Sequence, residues 1–544
     1  MKKLGIFTVI LVALILQSGC YADKGDYDYR DINELTIILP ESREVFTGRP
    51  LRIVPEIIPS INITENLNWD NYYYEWIAVR NNNSNIAVFL GSERDLDIIV
   101  PTGMEEGDYV VFYTVGDKRT GIETTERFFL RVSGGLTVGW LILNDINGSS
   151  RLDMLPLNSG QFNFVNDVLG SVDDSLRLPA ERMQSRPLGL ARFICNLSPD
   201  RLAFYILTET HSSRIRLRNF VWRDNYDISF NFVPPFLAPP NFAASTLRTD
   251  SDVTFIMTGK DANGRHNAYY YNRILGTMFW SHPINTLDLG GTFFNVSPKH
   301  TAQLIFDTDS RSIYQFRQNA SQTGVGSAVI DEGAAGRNII RSYRNMGMDL
   351  VEMLANHIRP TGLDLFYTFI LRNPTNGEYW FLRANSGLSQ THWERLSTTI
   401  DGSAETIDWS QVKLFATGGE FTESLYFVLG GKVYAYNLSD RRSFLMLDKG
   451  PGYEITYLNF FSAPGMGRQG SDRDIFIASF DGTQGTLERY EIFIRPNPFV
   501  IAHFHETEIE FRFGPDTRFV DPATGEVSIG TQFGRIVDIH YKSP

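Results

Sequence analysis

The sequence predicts an all-β protein, an immunoglobulin-like sandwich followed by a β-propeller of about seven blades. Three observations carry this expectation. The 544 residues include 39 Phe, 24 Tyr and 45 Gly, and aromatic and β-branched runs between Gly, Asn and Asp turns are strand material. No stretch beyond the N-terminal leader has the period of a long amphipathic helix. Past residue 134, paired apolar runs joined by tight-turn dipeptides recur about every 50–60 residues, the spacing expected of propeller blades.

Charge and cysteine content narrow the function. The formal net charge is −13, with 50 Lys+Arg against 63 Asp+Glu, and no basic run supplies the concentrated positive face that nucleic acid requires. Two cysteines, Cys20 and Cys195, exclude a disulfide-stapled scaffold.

The N-terminus reads as an export signal. Lys2 and Lys3 precede an apolar run from Leu4 to Leu16, then Gln17-Ser18-Gly19-Cys20. This describes a signal peptide over residues 1–19 and is too short to span a bilayer. The cysteine after Ser18-Gly19 resembles a bacterial lipobox, in which Cys20 receives the lipid and becomes the mature N-terminus. Gln17 departs from the usual Leu, and an ordinary signal peptide with a chance cysteine is the alternative. Residues 20–33, rich in Asp and Tyr, read as a lipidated, solvated tether. They also resemble the surface-export signal of Bacteroidota lipoproteins. Cys195, within Arg192-Phe193-Ile194-Cys195-Asn196, reads as a small buried hydrophobe.

Residues 34–133 form the expected sandwich. Tyr72, Tyr74 and Trp76 alternate with Tyr73, Glu75 and Ile77, which puts the first three on one strand face. Gly107-Asp108 opens the alternating run Tyr109–Val115, and the turn Asp117–Gly121 returns into Arg127–Val132. Trp76 is expected in the core between two sheets rather than on a ligand. The spacing Gly48-x-x-Leu51, Tyr74-x-Trp76, Leu96 and Gly107-x-Tyr109-x-x-x-Tyr113-x-Val115 resembles a PKD-type domain. Together with Cys20 and the Gly25-Asp26-Tyr27-Asp28-Tyr29 opening, it is similar to the PKD-like family lipoproteins of Bacteroidota over roughly the first quarter of the chain. The resemblance implies outer-membrane attachment and genetic company with SusC/SusD-like nutrient importers; it does not imply a catalytic activity.

Residues 134–544 hold the expected blades. Gly139–Leu143 meets Asn147-Gly148; Val253–Met257 passes Asn263-Gly264 to Ala268–Tyr271; Phe366–Leu371 passes Asn376-Gly377 to Tyr379–Leu382. Leu425–Leu429 turns at Gly430-Gly431 into Val433–Tyr436, and Asp474–Ala478 turns at Asp481-Gly482 towards Tyr490–Phe493. Such dipeptides between apolar strands are strong hairpin signals. Further pairs fall at Ala203–Val221 and Gln303–Phe316. Pairing of the last strand, Arg535–His540, with the first blade would remove the exposed edges of the ring. Arg337–His357, with Met346, Leu350, Met353 and Leu354, reads as a short helix between blades, weakened by Gly347.

Catalytic signatures are sparse. Gly465-Met466-Gly467-Arg468-Gln469-Gly470 matches a dinucleotide pattern but lies between strands and reads as a blade loop. His503 and His505, followed by Glu506 and Glu508, are weak metal candidates on one strand side. Asp307-x-Asp309-x-Arg311 reads as a hairpin turn rather than a calcium loop. Asp174-Ser175-Leu176 resembles an exported-protein O-glycosylation site. Trp280, Trp380, Trp393 and Trp409 lie near expected loops, where each either stacks on a sugar or peptide side chain or fills a blade core.

The functional expectation is an outer-membrane, lipid-anchored and surface-facing protein that acts without catalysis and without a cofactor. It would bind a glycan or peptide, or support a SusC/SusD-like importer, with no nucleic-acid partner. The alternative is a propeller-fold polysaccharide hydrolase or lyase, whose carboxylates would come from distant strands.

Overall fold

The computed structural model describes residues 33–542, excluding 47–49, 61–67, 82, 102–103, 134–135, 137, 159–160, 163, 171, 173–174, 195–201, 233–241, 250–253, 261–263, 273–294, 302–303, 317–327, 330–342, 358–364, 386–389, 418–423, 461–473, 492–508 and 521–526. Cys20, Cys195, the leader and nearly all of the tether lie outside the described residues. Among those described, strands are joined by turns and short 3-10 segments, and no helix is long and apolar enough to cross a membrane. The chain forms two compact units. One comprises most of the residues up to Phe129; the other comprises Leu130–Pro544 together with Glu44–Leu51 and Ile98–Tyr109.

The N-terminal β-structure follows the alternation in its sequence. A five-stranded sheet runs in the order Ser42–Phe46, Glu123–Ser133, Gly107–Asp117, Tyr72–Arg80, Asn83–Gly91. Two shorter ladders pair Leu35–Ile38 with Glu56–Pro59 and Pro50–Ile53 with Leu96–Ile99. Tyr109, Val111, Tyr113 and Val115 are buried along one face of their strand while their neighbours are half-exposed. Trp76 is fully buried, stacked on Tyr113 at 3.9 Å between ring centroids, and its indole N–H donates to the Glu93 carbonyl at 2.8 Å. Tyr109 Oη donates to the Glu105 carbonyl at 2.7 Å, a backbone tie of the kind seen at a sandwich tyrosine corner. Trp76 is therefore core, as its strand position predicts.

Among the described residues the second unit contains seven blade sheets in succession, each built from strands consecutive in sequence apart from the closing strand added to the first, and a further two-stranded ladder of Arg518–Val520 with Val527–Ile529. Blade 1 is Gly139–Ile146, Ser149–Asn158 and Gln161–Phe162; blade 2 is Pro187–Ile194, Leu202–Thr208 and Ser212–Arg216. Blade 3 is Ala244–Thr249, Thr254–Lys260 and His266–Asn272; blade 4 is Leu304–Asp307, Ser312–Phe316 and Ala328–Val329. Blade 5 is Asp349–His357, Leu365–Arg372, Tyr379–Asn385 and Gln390–Arg395. Blade 6 is Leu414–Thr417, Ser424–Leu429, Lys432–Asn437 and Arg442–Asp448. Blade 7 is Glu454–Phe460, Asp474–Phe480, Gly485–Glu491 and Ile509–Phe513. The Asn147-Gly148 turn has both residues at positive φ, 53° and 89°, the conformation that a two-residue hairpin selects and that Asn and Gly adopt at least cost.

Apolar clusters weld each blade to the next. Leu141 and Met154 of blade 1 pack with Leu190 and Phe204 of blade 2. Tyr205 and Leu207 then meet Leu247 and Met257 of blade 3. Phe306 and Ile313 join blade 4 to Tyr367 and Phe369 of blade 5, and Ile370 and Phe381 join it to Phe415 and Phe427 of blade 6. Tyr426 and Val433 meet Ile475 and Ile477 of blade 7. Phe476 and Leu487 of blade 7 pack with Trp140 and Ile539 of blade 1. Between blades 3 and 4 the described link is polar, with Thr246 Oγ1 lying 2.5 Å from His300 Nε2. The blades thus form a ring.

Closure comes from the last strand. Arg535–Lys542 pairs antiparallel with Gly139–Ile146, Gly139 opposite Lys542 and Ile142 opposite Ile539. It becomes the innermost strand of blade 1 and packs against the first strands of blades 2 and 7. Arg535 grips Glu454 of blade 7 through two hydrogen bonds, at 3.0 and 2.9 Å. On the other side, Asp538 Oδ2 accepts the Leu190 N–H of blade 2 at 2.8 Å.

One sequence expectation is corrected. Asp349–His357 is a strand, the innermost of blade 5, and not the end of a helix. Its pairing with Leu365–Arg372 carries a bulge between Leu350 and Glu352. The bulge turns Leu350 and Met353 towards blade 4, and Val351 and Leu354 towards blade 6. An inserted residue thereby converts a period of two into the three-residue spacing that imitates a helix.

The closing strand ends on a buried cation. Lys542 is 1% exposed, donates from Nζ to the carbonyls of Leu136 and Arg218, and lies 4.6 Å from the centroid of the Phe220 ring. Burial pushes its ammonium down to about 7. Between that value and the ~10.4 of an unfolded lysine, the unfolded chain binds the extra proton, so this residue makes stability rise with pH from 7 towards 10. Urea unfolding at pH 7 and pH 9 is expected to show that increment in the wild type and its loss in Lys542→Met.

Candidate functional site

Blade 5 ends in three features that converge: the turn between Arg372 and Tyr379, the end of its outermost strand at Trp393–Arg395, and the segment leading to blade 6. Together they line a cleft of about 830 Å³. The turn is set by Asn373 and Asn376, whose side-chain oxygens accept the N–H groups of Thr375 and Glu378 at 2.9 and 3.0 Å. Asp408 caps the short turn at Trp409–Gln411 by accepting from Ser410 N and Oγ at 3.0 and 2.6 Å.

Three of the four tryptophans singled out in the sequence line this cleft. Trp380 lies opposite Arg395, and Trp393 opposite Leu382, a diagonal cross-strand relation that brings large side chains together. Their rings stack at 5.1 Å with an interplanar angle of 20°, half-buried, and neither indole N–H has a hydrogen-bond partner. Trp409 plays a different part. It is buried, packs on Phe427 and Tyr436, and donates from Nε1 to the Ser397 carbonyl at 3.1 Å, so it forms the wall. Trp280 lies outside the described residues.

The charged residues around the indoles were not visible as a group in the sequence. Glu394, 5% exposed, faces Arg441 Nε at 3.3 Å and His392 Nε2 at 3.4 Å. Glu378 pairs with Arg395 at 2.6 Å and accepts from Asn376 Nδ2 at 2.9 Å. Hydrogen bonds from Ser410 hold the Asp408 carboxyl below the usual carboxylate range. Arg372 completes the rim. The run Trp393-Glu394-Arg395 was the available signal, since a polar pair beside a tryptophan at a strand end marks a rim more than a core.

The rings of Trp380 and Trp393 pack on the side towards blade 4 and the Glu394–Arg441 pair lies on the side towards blade 6, so the cleft at the end of blade 5 is lined by apolar and polar groups from the two faces of its sheet. Glu378 and Asp408 are hydrogen-bonded by Arg395 and Ser410, whereas both carboxylate oxygens of Glu394 are buried beside Arg441 and His392 without a hydrogen bond. The one carboxyl on the described propeller whose pKa is raised, Asp153, pushed up to about 6 by burial, is buried against Arg151 and Asn144 in blade 1, away from this cleft.

The remaining sequence candidates resolve variously. His503, His505 and the Gly465–Gly470 pattern lie outside the described residues, as does Asp174. Leu176 packs on the core between blades 1 and 2. Asp307 folds its own hairpin, accepting from Asp309 N at 2.8 Å and from Ser310 Oγ. Among the described residues, no group of three or more His, Cys, Asp or Glu is placed to hold a metal.

Comparisons with known proteins bear on the two units differently. A model of the PKD-like family matches residues 20–174, so the N-terminal region is PKD-like, and the match runs on into blade 1. None of the curated proteins compared matches the chain. Among solved structures, a quinonprotein alcohol dehydrogenase-like protein from Bacteroides thetaiotaomicron is similar at 12% identity and a TM-score of 0.42, covering 83% of this chain and 91% of its own. An ACO/RPE65 chimera is similar at 9% identity and a TM-score of 0.23, covering 78% and 87%. PorZ, a surface component of the type-IX secretion system of Porphyromonas gingivalis, is similar at 10% identity and a TM-score of 0.16, covering 80% and 59%. The propeller assignment itself rests on the seven sheets and their closure.

The two kinds of tryptophan separate in stability measurements. Trp409→Ala opens a cavity in the packing between blades 5 and 6 and is expected to cost ~3–5 kcal/mol in urea unfolding. Trp393→Ala trims a half-exposed ring and is expected to cost about 1–2 kcal/mol.

Proposed function

We propose that the chain is a non-catalytic binding component, held by a lipid on Cys20 at the outer surface of a bacterial outer membrane, and that the propeller presents the blade 5 cleft to a glycan. The observation that carries this reading is the stacked Trp380–Trp393 pair beside Glu394, Arg441 and Arg372 in one cleft. A sugar ring offers an apolar C–H face to an indole and hydroxyls to charged groups at its rim. The PKD-like N-terminal region supports a surface role, because such a domain contributes spacing and not catalysis. Service to a SusC/SusD-like importer is part of the same proposal and rests on the family resemblance.

The hydrolase or lyase alternative needs a carboxyl held protonated near a second, free one. In the cleft Glu378 pairs with Arg395, Glu394 lies beside Arg441 and His392, and Asp408 accepts from Ser410, so each faces a cation or a donor and not a second carboxyl.

The test is a panel of soluble polysaccharides and peptides titrated against the full chain. Wild-type protein is expected to bind a glycan without releasing products, and Trp393→Ala to lose about tenfold or more in affinity, equivalent to ~1.4 kcal/mol. No binding across the panel, or chain cleavage of any glycan, overturns the reading. The anchor is tested separately: Cys20→Ser is expected to leave the membrane fraction, and unchanged fractionation contradicts it.

A further inference from the structure

Polar atoms without a partner gather at the end of the outermost strand of blade 5. Both carboxylate oxygens of Glu394 and the Nε2 of His392 are buried there without a hydrogen bond, as are the indole N–H groups of Trp380 and Trp393. A native fold leaves few buried polar groups unpaired, and the exceptions gather where water or a ligand supplies the partner. These atoms lie on or beside one cleft of about 830 Å³.

Glu394 is the sharpest case. Its side chain is 4% exposed, and a carboxylate accepts without donating, with room for about four hydrogen bonds. Its charged neighbours do not fill that room. Arg441 Nε at 3.3 Å and His392 Nε2 at 3.4 Å are within ion-pair range but make no aligned hydrogen bond. The Arg441 side chain is 70% exposed and reaches Glu394 from the turn before the last strand of blade 6. An ion pair with so exposed a partner holds its geometry weakly, so Arg441 can yield its place to a ligand.

The rest of the lining sets the charge of that ligand. Three cations, Arg372, Arg395 and Arg441, stand against three carboxylates, Glu378, Glu394 and Asp408. Arg395 is matched by Glu378 at 2.6 Å. A uronate or sulfate group would meet the buried Glu394 in a cleft without net positive charge, and burying a charge unmatched is costly. An uncharged ligand carries no such penalty.

Alternation along the strand sets its length. Trp393 and Glu394 are consecutive, so their side chains leave opposite faces of the sheet. Trp393 stacks on Trp380 towards blade 4. His392 and Glu394 lie towards blade 6, where His392 meets the Phe381 ring edge-on at 5.6 Å. A ligand that touches both the indoles and the carboxylate therefore passes around the end of the strand. A single sugar ring cannot lie against both faces of a strand; two or more linked rings can.

We propose that the cleft takes an uncharged oligosaccharide of at least two linked units, and that Glu394 is its specificity-determining acceptor. One unit packs on the Trp380–Trp393 pair, while a neighbouring unit directs adjacent hydroxyls at the two oxygens of Glu394. Hydroxyl donors make short, charge-assisted bonds to a carboxylate, and an analogue lacking them leaves the buried group unpaired. The inference rests on the glycan reading of the same cleft and adds to it the charge, length and hydroxyl pattern of the ligand.

The experiment is calorimetric titration of the full chain with neutral oligosaccharides of increasing length, cut from glucan, mannan, xylan and galactan, beside oligogalacturonate as the acidic counterpart. The wild type is expected to bind at least one neutral series, more tightly as length rises, and the acidic series more weakly. Trp393→Ala should weaken every member of the bound series. Glu394→Gln should remove the gain with length, about tenfold, equivalent to ~1.4 kcal/mol. Gln keeps the shape and removes a buried charge, and Arg441 is largely in water, so urea unfolding without ligand should match or exceed the wild type. A carboxylate kept only to fasten blade 5 to blade 6 would instead give a loss of stability with the gain in length intact. If a neutral glycan binds and Trp393→Ala weakens it while Glu394→Gln keeps the full gain with length, this inference fails and the glycan reading stands. Preference for the acidic series, or for peptides, also overturns it. If no glycan binds, the glycan reading itself falls and this inference falls with it.

Discussion

The return of Arg535–Lys542 to Gly139–Ile146 is the interaction on which the rest of the propeller depends. Seven sheets packed in series would otherwise end in two unpaired faces, one on blade 1 and one on blade 7, each apolar and each with a free edge. The closing strand satisfies both at once, since Ile536 and Ile539 sit in the cluster shared by Phe476, Leu487 and Trp140. Its approach is tight. A Cβ at Gly534 would lie 2.7 Å from the Asp145 carbonyl oxygen and one at Gly485 would lie 2.1 Å from that of Gly534, so glycine is required where three backbones meet. Arg151 adds a polar latch, joining the buried Asp153 to the carbonyl of Gln532 just ahead of the strand.

Closure also fixes where chemistry is available. The inner strands become a ring of fixed backbones, and their side chains either enter the interfaces between blades or face the channel. At the outer rim, each blade keeps its turns free to vary while its core holds their bases in place. The turn of blade 5 uses this freedom to bring a stacked indole pair from one face of the sheet and a buried glutamate from the other to one cleft, with Trp409 in its blade 6 wall. Rigid aromatic surface of this kind gives contact area at low entropic cost.

Much of the fold was legible in the sequence because hairpins are local. Asn147-Gly148 and Gly430-Gly431 announce turns whose flanking strands then pair as expected. The closing strand was also readable, as an apolar run at the C-terminus without a partner of its own. Asp349–His357 was misread because a bulge shifts its period, which only the register with the neighbouring strand reveals. The site was legible in part. Trp380 and Trp393 stand out singly in the sequence, and their diagonal pairing depends on a register that spacing alone does not specify.

The closed ring makes a distinctive demand on amide hydrogen exchange. If the last strand completes blade 1, the amides of Gly139–Ile146 are freed only by the same large-scale opening that frees Leu425–Leu429 in the middle of blade 6. Measured under native conditions, the two groups should share one opening free energy and one dependence on denaturant. Exchange of the blade 1 amides through a separate, lower-energy opening, with blade 6 still protected, would contradict the account.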